Sequence, residues 1–213
     1  MGSSGAGRGA AGVPRELVIA TGNRKKGVEM AAILVPFGVL MRTLADFPGI
    51  VAEVDETGAT YMENAELKAR AAAAATGRPS IADDAGLEID ALDGRPGLYS
   101  KRFLGEETPF PEKMRRILAM LADVPDEERG CRFNCAVAIA HPDGRLWRCT
   151  GVCEGRVARE ARGAYGFGYD PIFLLPELGR HMAELAPEEK HRISHRGRAL
   201  ACAGAALAEV FAQ

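Results

Sequence analysis

The sequence predicts an α/β fold, a mixed β-sheet flanked by helices. Three observations carry this. Short apolar runs alternate with segments of helical period, the pattern of layered sheet-and-helix proteins. Residues 131–153 read as two strands joined by His141-Pro142-Asp143-Gly144-Arg145, a Pro-Asp-Gly turn that folds the chain into a hairpin. A hairpin among crossovers excludes a purely parallel sheet. A chain of 213 residues with 47% hydrophobic composition also buries a full core without metal or disulfide support.

The elements follow in order. Leu17-Val18-Ile19-Ala20 is a buried strand ending in the turn Thr21-Gly22-Asn23. A helix runs from about Arg24 to Val35 and is closed by Pro36 and Gly38, and Val39-Leu40-Met41 form a second strand. Residues 46–59 are loop, with Pro48, Gly49 and the acidic cluster Glu53, Asp55 and Glu56. Thr60 and Glu63 have capping-box spacing before an alanine-rich helix that ends at Thr76, with Gly77 as its stop. Ser80-Ile81-Ala82 is a short apolar run leading into Asp83-Asp84. Glu112 to Leu121 has helical period, Ile172 to Leu175 is another apolar run, and His195 to Phe211 is the last helix. At ~150 residues per domain the chain makes one domain or two fused lobes. The expected boundaries are an extension over residues 1–14, rich in Gly, Ala and Ser, and a single domain over 15–213.

Composition narrows the function. The net charge of −2 gives no basic excess for coating a polynucleotide, though a few local cations can still hold a small anion. No apolar run approaches the ~18 residues of a membrane span, and no signal-type hydrophobic segment opens the chain. Five cysteines without an export signal are expected as reduced thiols in the cytoplasm. Their two C-x₃-C pairs depart from the usual zinc spacing and read as small core residues.

Four segments carry candidate chemistry. Arg24, Lys25 and Lys26 crowd a helix start that already bears partial positive charge and free N–H groups. A bound polyphosphate relieves that conflict, and a solvated helix start is the plain alternative. Glu53, Asp55 and Glu56 in one loop, with Asp83 and Asp84 at a strand end, suit Mg²⁺, which takes one or two carboxylates plus water and substrate oxygens, and a solvated acidic loop is the plain alternative. Neighbours on a strand face opposite ways, so Asp83 and Asp84 have different jobs, one toward the site and one toward structure. Gly163 to Pro171 alternates glycines with aromatics, fit for stacking a nucleobase or, alternatively, for filling core from a bulged strand. Ser194 is a plausible N-cap, so His195 and Arg196, after Lys190, place a second cation pair at a helix start. Two such starts in a chain without basic bias favour an anionic or carbonyl-bearing ligand between them.

Taken in order, these segments form a recognisable set. They are Ala20-Thr21-Gly22-Asn23-x-x-Lys26-x-x-Glu29, Glu56-Thr57-Gly58, Glu63-Asn64-Ala65-x-x-Lys68-Ala69 and Ala82-Asp83-Asp84-x-Gly86-Leu87. Pro96-Gly97-Leu98-Tyr99-Ser100-x-Arg102, Gly166-Phe167-Gly168-Tyr169-Asp170-Pro171-Ile172-Phe173 and Glu189-Lys190-x-x-x-Ser194-His195-Arg196-Gly197 complete it. From Leu17 to the C-terminus the chain resembles the inosine triphosphate pyrophosphatase family. The resemblance implies two α/β lobes around a long curved mixed sheet, a nucleotide cleft between them, and a homodimer. It implies Mg²⁺-dependent hydrolysis of inosine, deoxyinosine and xanthosine triphosphates to the monophosphate and pyrophosphate, which cleanses the nucleotide pool. By position, Thr21, Asn23 and Lys26 would hold the triphosphate, with Gly22, Arg24 and Lys25 beside them. Glu56 and Asp84 would bind Mg²⁺, and Asp84 would accept the proton of the attacking water. Phe167, Gly168, Tyr169 and Asp170 would line the nucleoside pocket, and Lys190, His195 and Arg196 would contact the base. Ala85 stands where the family usually has Ser, so only a backbone contact to substrate is expected there. The competing expectation is a non-catalytic nucleotide-binding or sensing module on the same fold.

Overall fold

The computed structural model describes residues 15–50 and 54–212. The N-terminal extension and Glu53 of the acidic cluster lie outside the described residues. The chain opens with β1 (Glu16–Ile19), buried through Leu17, Val18 and Ile19 as its continuous apolar run requires. Then α1 (Arg24–Leu34) starts at Asn23, whose side chain accepts from the Lys25 and Lys26 amides. A 3-10 turn over Val35–Phe37 ends at Gly38, and β2 (Leu40–Thr43) follows as an edge strand parallel to β1.

Helix α2 (Tyr61–Thr76) begins at Thr60, which accepts from the Glu63 amide at 3.1 Å. The return arm of the expected capping box is displaced: Glu63 Oε2 accepts from Ala59 N at 2.6 Å, one residue before the cap. Ala65, Ala69, Ala72 and Ala73 form its buried face, and their small side chains let α2 lie close to the sheet. The apolar run read as ending at Ala82 is the start of β3 (Ser80–Ile89), ten residues that carry both aspartates. The reason is pairing. β3 is antiparallel to β4 (Gly130–Ala140) from Ser80↔Ala140 to Ile89↔Cys131, so ladder bonds extend the strand through residues whose own β preference is poor. β4 and β5 (Leu146–Val157) form the expected hairpin, longer than residues 131–153 and paired from Gly130↔Arg156 to Ala140↔Leu146.

Between β3 and β4 lies α3 (Phe110–Met120). After β5 the glycine-aromatic segment is neither strand nor bulge. It turns over itself and closes in a 3-10 turn, Asp170–Ile172, so only Phe173–Leu175 of the next apolar run forms β6. Pro171 has no amide to give a ladder. β7 (Arg180–His181), α4 (Pro187–Ile193) and α5 (His195–Val210) complete the chain. Among the described residues seven strands form one mixed sheet in the order β2-β1-β3-β4-β5-β6-β7. One core cluster joins β1, α1, α5 and the first half of β3, and α2 covers the opposite face of the same strands. A second cluster, around α3 and β6, covers the other ends of β3, β4 and β5. β1 stops after pairing Ile19 with Ile81, while β3 continues for eight residues (82–89). The notch beyond the carboxyl end of β1 is where open α/β sheets take ligands.

The expectation of reduced thiols fails at one pair. Cys149 of β5 and Cys202 of α5 are joined by a disulfide, with Cα atoms 5.9 Å apart. Their meeting depends on how α5 lies across β5, which spacing along the chain does not encode. Cys131, Cys135 and Cys153 are free and buried. Burial pushes Cys153 up to about 11 and Cys135 up to about 12, so both remain protonated core thiols. Among the described residues no helix is long and apolar enough to cross a membrane.

Candidate active site

The notch is walled by the turn after β1, the middle of β3, the segment 165–170, and the junction of α4 with α5. Local hydrogen bonds shape the first wall. Thr21 Oγ1 accepts from Asn23 N at 3.1 Å, and Asn23 Oδ1 caps α1. These contacts fix the turn that presents Gly22, Arg24, Lys25 and Lys26.

The two aspartates of β3 face opposite ways, as the strand period requires. Asp83 points toward α1 and α5. Its Oδ2 accepts from Arg196 Nε and Nη2, both at 3.0 Å, and lies 3.3 Å from Lys26 Nζ. Burial pushes this carboxyl up, but Lys26 and Arg196 together outweigh it and hold it well below the usual range. Glu29 joins the same group, accepting from Arg196 Nη1 at 2.8 Å and Lys190 Nζ at 2.6 Å. Lys190 also donates to Asp170 Oδ2 at 2.8 Å, which in turn accepts from the Phe167 amide at 2.9 Å. Thus four separate stretches of chain meet through one buried ion-pair network. The cations at the start of α5 do not wait for a ligand to relieve them: Asp83 and Glu29 neutralise Arg196 from inside.

Asp84 points the other way, toward α2. Its Oδ2 accepts from Asn64 Nδ2 at 3.1 Å, and its Oδ1 accepts from Ala85 N at 2.9 Å and lies 3.9 Å from Lys68 Nζ. Lys68 also donates to Glu56 at 2.6 Å. One ammonium therefore bridges the two carboxylates named for metal binding. Burial raises Asp84 above the usual carboxylate range, a rise that Lys68 and Lys26 only partly offset. At Glu56 burial also acts upward, but Lys68, Lys26 and Arg102 together lower it. The Ala85 methyl packs toward the apolar cluster of β1, α1 and α5, so its amide is spent on Asp84 and its side chain offers no polar group.

The third wall carries the aromatic residues. Lys190 and Arg196 lie 4.9 and 5.4 Å from the centre of the Phe167 ring, which fixes its orientation by cation–π attraction. Gly166 has φ +72, and a Cβ there would run into the Asp170 carboxylate, so only glycine allows this wall to fold so tightly. Tyr169 is buried beneath the wall, edge-on to Phe110, with its hydroxyl donating to Ser100 O at 2.9 Å. His195 is buried and stacks on Phe133 with ring centres 4.5 Å apart. Burial, aided by Arg196 and Lys190, pushes His195 well below its ordinary value and keeps it neutral. Its Nδ1 and Asp83 Oδ1 are buried without a hydrogen-bond partner among the described residues. A cavity of about 550 Å³ opens beside α1 and the aromatic wall, lined by Arg24, Lys25, Glu29, Phe167, Lys190 and residues around them. Lys26, Glu56 and Asp84 do not line that cavity.

Lys26, Asp170, Lys190 and Arg196 join one ion-pair network, Arg24, Lys25 and Phe167 line the cavity beside it, and Glu56 and Asp84 meet at Lys68, whereas Tyr169 and His195 pack on Phe110 and Phe133. Four residues that motif reading left without a role stand out: Glu29, Asn64, Lys68 and Phe133. Asn64 and Lys68 are four apart on a capped helix, which does place them on one face. Which strand that face meets is tertiary information.

Fold and cleft together define an α/β protein that gathers paired charges and an aromatic wall at the end of a parallel strand pair. The chain belongs to the Ham1 family, whose model matches residues 17–204. The dITP/XTP pyrophosphatase of Geobacillus kaustophilus is 50% identical over 186 residues, covering 87% of this chain and 91% of that protein. The dITP/XTP pyrophosphatase of Vibrio parahaemolyticus is 46% identical over 201 residues, covering 93% and 100%. A Ham1 protein structure from Coxiella burnetii superposes with a TM-score of 0.81 at 41% identity, covering 91% of this chain and 98% of that one.

Proposed function

We propose that this chain hydrolyses non-standard purine nucleoside triphosphates, the triphosphates of inosine, deoxyinosine and xanthosine, to the monophosphate and pyrophosphate. The observation that carries the reading is the opposed pair on β3. Asp83 anchors the cations of one wall, while Asp84, raised by burial, stands with Glu56 across Lys68. The names of the similar proteins support the substrate class.

Glu56 and Asp84 fit Mg²⁺. Both are carboxylates, both already share a cation, and Mg²⁺ asks for one or two carboxylates with substrate oxygens and water filling the rest. When bound, the metal neutralises charge on the phosphates. The chain does the remaining work. Lys26, with Arg24 and Lys25, holds the triphosphate at the start of α1, where helix polarity adds to their charge. Asp84 orients the attacking water and takes its proton, and its raised basicity suits that task. Phe167 offers its face to the base, Gly168 and Asp170 shape the same wall, and Tyr169 supports it from below. Lys190, His195 and Arg196 meet the base edge. Donors there pair with a 6-keto oxygen. A 6-amino group leaves them unpaired, at a cost of ~1–3 kcal/mol for each buried group. A homodimer working in the cytoplasm belongs to the same reading.

The test is pyrophosphate release with Mg²⁺ from inosine, xanthosine and adenosine triphosphates. Turnover favours the first two, and Asp84→Asn lowers kcat by ~100-fold or more. Tight binding of inosine triphosphate without turnover by the unaltered chain would leave a sensing module instead.

A further inference from the structure

We infer that Asn64 is a positioning residue that locks the Asp84 carboxylate to the loop carrying Glu56, so that the two acids present one preformed site. The inference rests on the reading of Asp84 and Glu56 given above. Asn64 is 3% exposed and both ends of its amide are committed. Oδ1 accepts from the Gly58 amide at 2.8 Å, and Nδ2 donates to Asp84 Oδ2 at 3.1 Å. The assignment of the two ends is chemically forced, because a backbone N–H only donates and an ionised carboxylate only accepts. Gly58 lies two residues after Glu56, so the side chain ties the acidic loop to the strand from which Asp84 projects.

The geometry on α2 strengthens this. Lys68, one helical turn on, spans the same two elements through Glu56 and Asp84. Lys68 supplies charge from the end of a long stem. Asn64 supplies none and is rigid and buried. Asp84 Oδ1 is already taken by the Ala85 amide, so the Asn64 bond to Oδ2 fixes the rotation of the carboxylate plane. Bonds of this outer kind to metal-binding carboxylates are typically worth ~10–100-fold in metal affinity or activity.

The experiment is a double-mutant cycle on the full chain with Mn²⁺ as the probe, its binding followed by electron paramagnetic resonance without nucleotide. Asn64→Ala is expected to weaken Mn²⁺ binding ~10-fold in the unaltered background. It should change binding less than twofold in the Asp84→Asn background, because its partner is already disabled. With inosine triphosphate, Asn64→Ala lowers kcat while KM stays within twofold. Asn64→Leu, which keeps the branched shape and loses both bonds, gives the same pattern if the alanine variant does not fold. Equal losses in both backgrounds, or unchanged Mn²⁺ binding in Asn64→Ala beside a defective Asp84→Asn, overturn the inference alone. Unchanged Mn²⁺ binding and turnover in Asp84→Asn overturn the reading of the site itself, and the inference with it.

Discussion

Two adjacent residues of identical chemistry, Asp83 and Asp84, differ because a strand sends neighbours to opposite faces. Asp83 is the acceptor for a buried guanidinium, so removing its charge leaves Arg196 facing Glu29 alone. Breaking a buried pair by taking one partner typically costs ~3–5 kcal/mol. Asp83→Asn should therefore lower the unfolding free energy by about that much in urea titration. Asp84→Asn should cost less than ~1 kcal/mol in the same measurement, since burial already disfavours its charged form. Period-two alternation made the division of labour legible. It did not say which acid had which role, because that depends on which face α2 covers and which α5 covers. The motif resemblance supplied the choice. Residues that act by joining segments far apart in sequence, such as Glu29 bridging α1 to α4 and α5, carried no local sign of doing so.

Elements were legible where local rules decide them. Thr60 and Ser194 cap their helices as expected. Gly77 ends α2 in the left-handed region, and the Pro-Asp-Gly turn makes its hairpin. They were misjudged where pairing overrides propensity, as in β3, and where turns within the glycine-aromatic segment replace a strand. Packing between elements shows the same limit at Gly151. This β5 residue lies directly under the start of α5, and a Cβ there would strike the His195 carbonyl and the Ala199 amide. Gly151→Ala should push α5 off the sheet at a cost of ~1–3 kcal/mol. Because His195 and Arg196 ride on that turn, KM for inosine triphosphate should rise as well. Urea titration and steady-state kinetics on one preparation check both effects, and a stability loss with unchanged KM would separate the helix start from the base wall.

At the scale of the whole molecule, β3, β4 and β5 run through both core clusters. Neither half has a sheet of its own, so the two should melt together. Unfolding followed by Trp147 fluorescence, which reports the β5–α5 side, should coincide with far-ultraviolet circular dichroism across the urea range. Two separated transitions would mean that the core clusters are independent. The overall architecture was expected from the sequence, as layers from periodicity and as a cleft from the resemblance. The Cys149–Cys202 bond was not, since it arises only once the last helix lies down.

Those uninterrupted strands also have a mechanical meaning. A pair of jaws needs a joint, and here the would-be joint is a stiff hydrogen-bonded ribbon spanning the molecule like a keel. Asp83 and Asp84 therefore sit on the stiffest part of the molecule, and the ladder on which they ride holds their opposite headings.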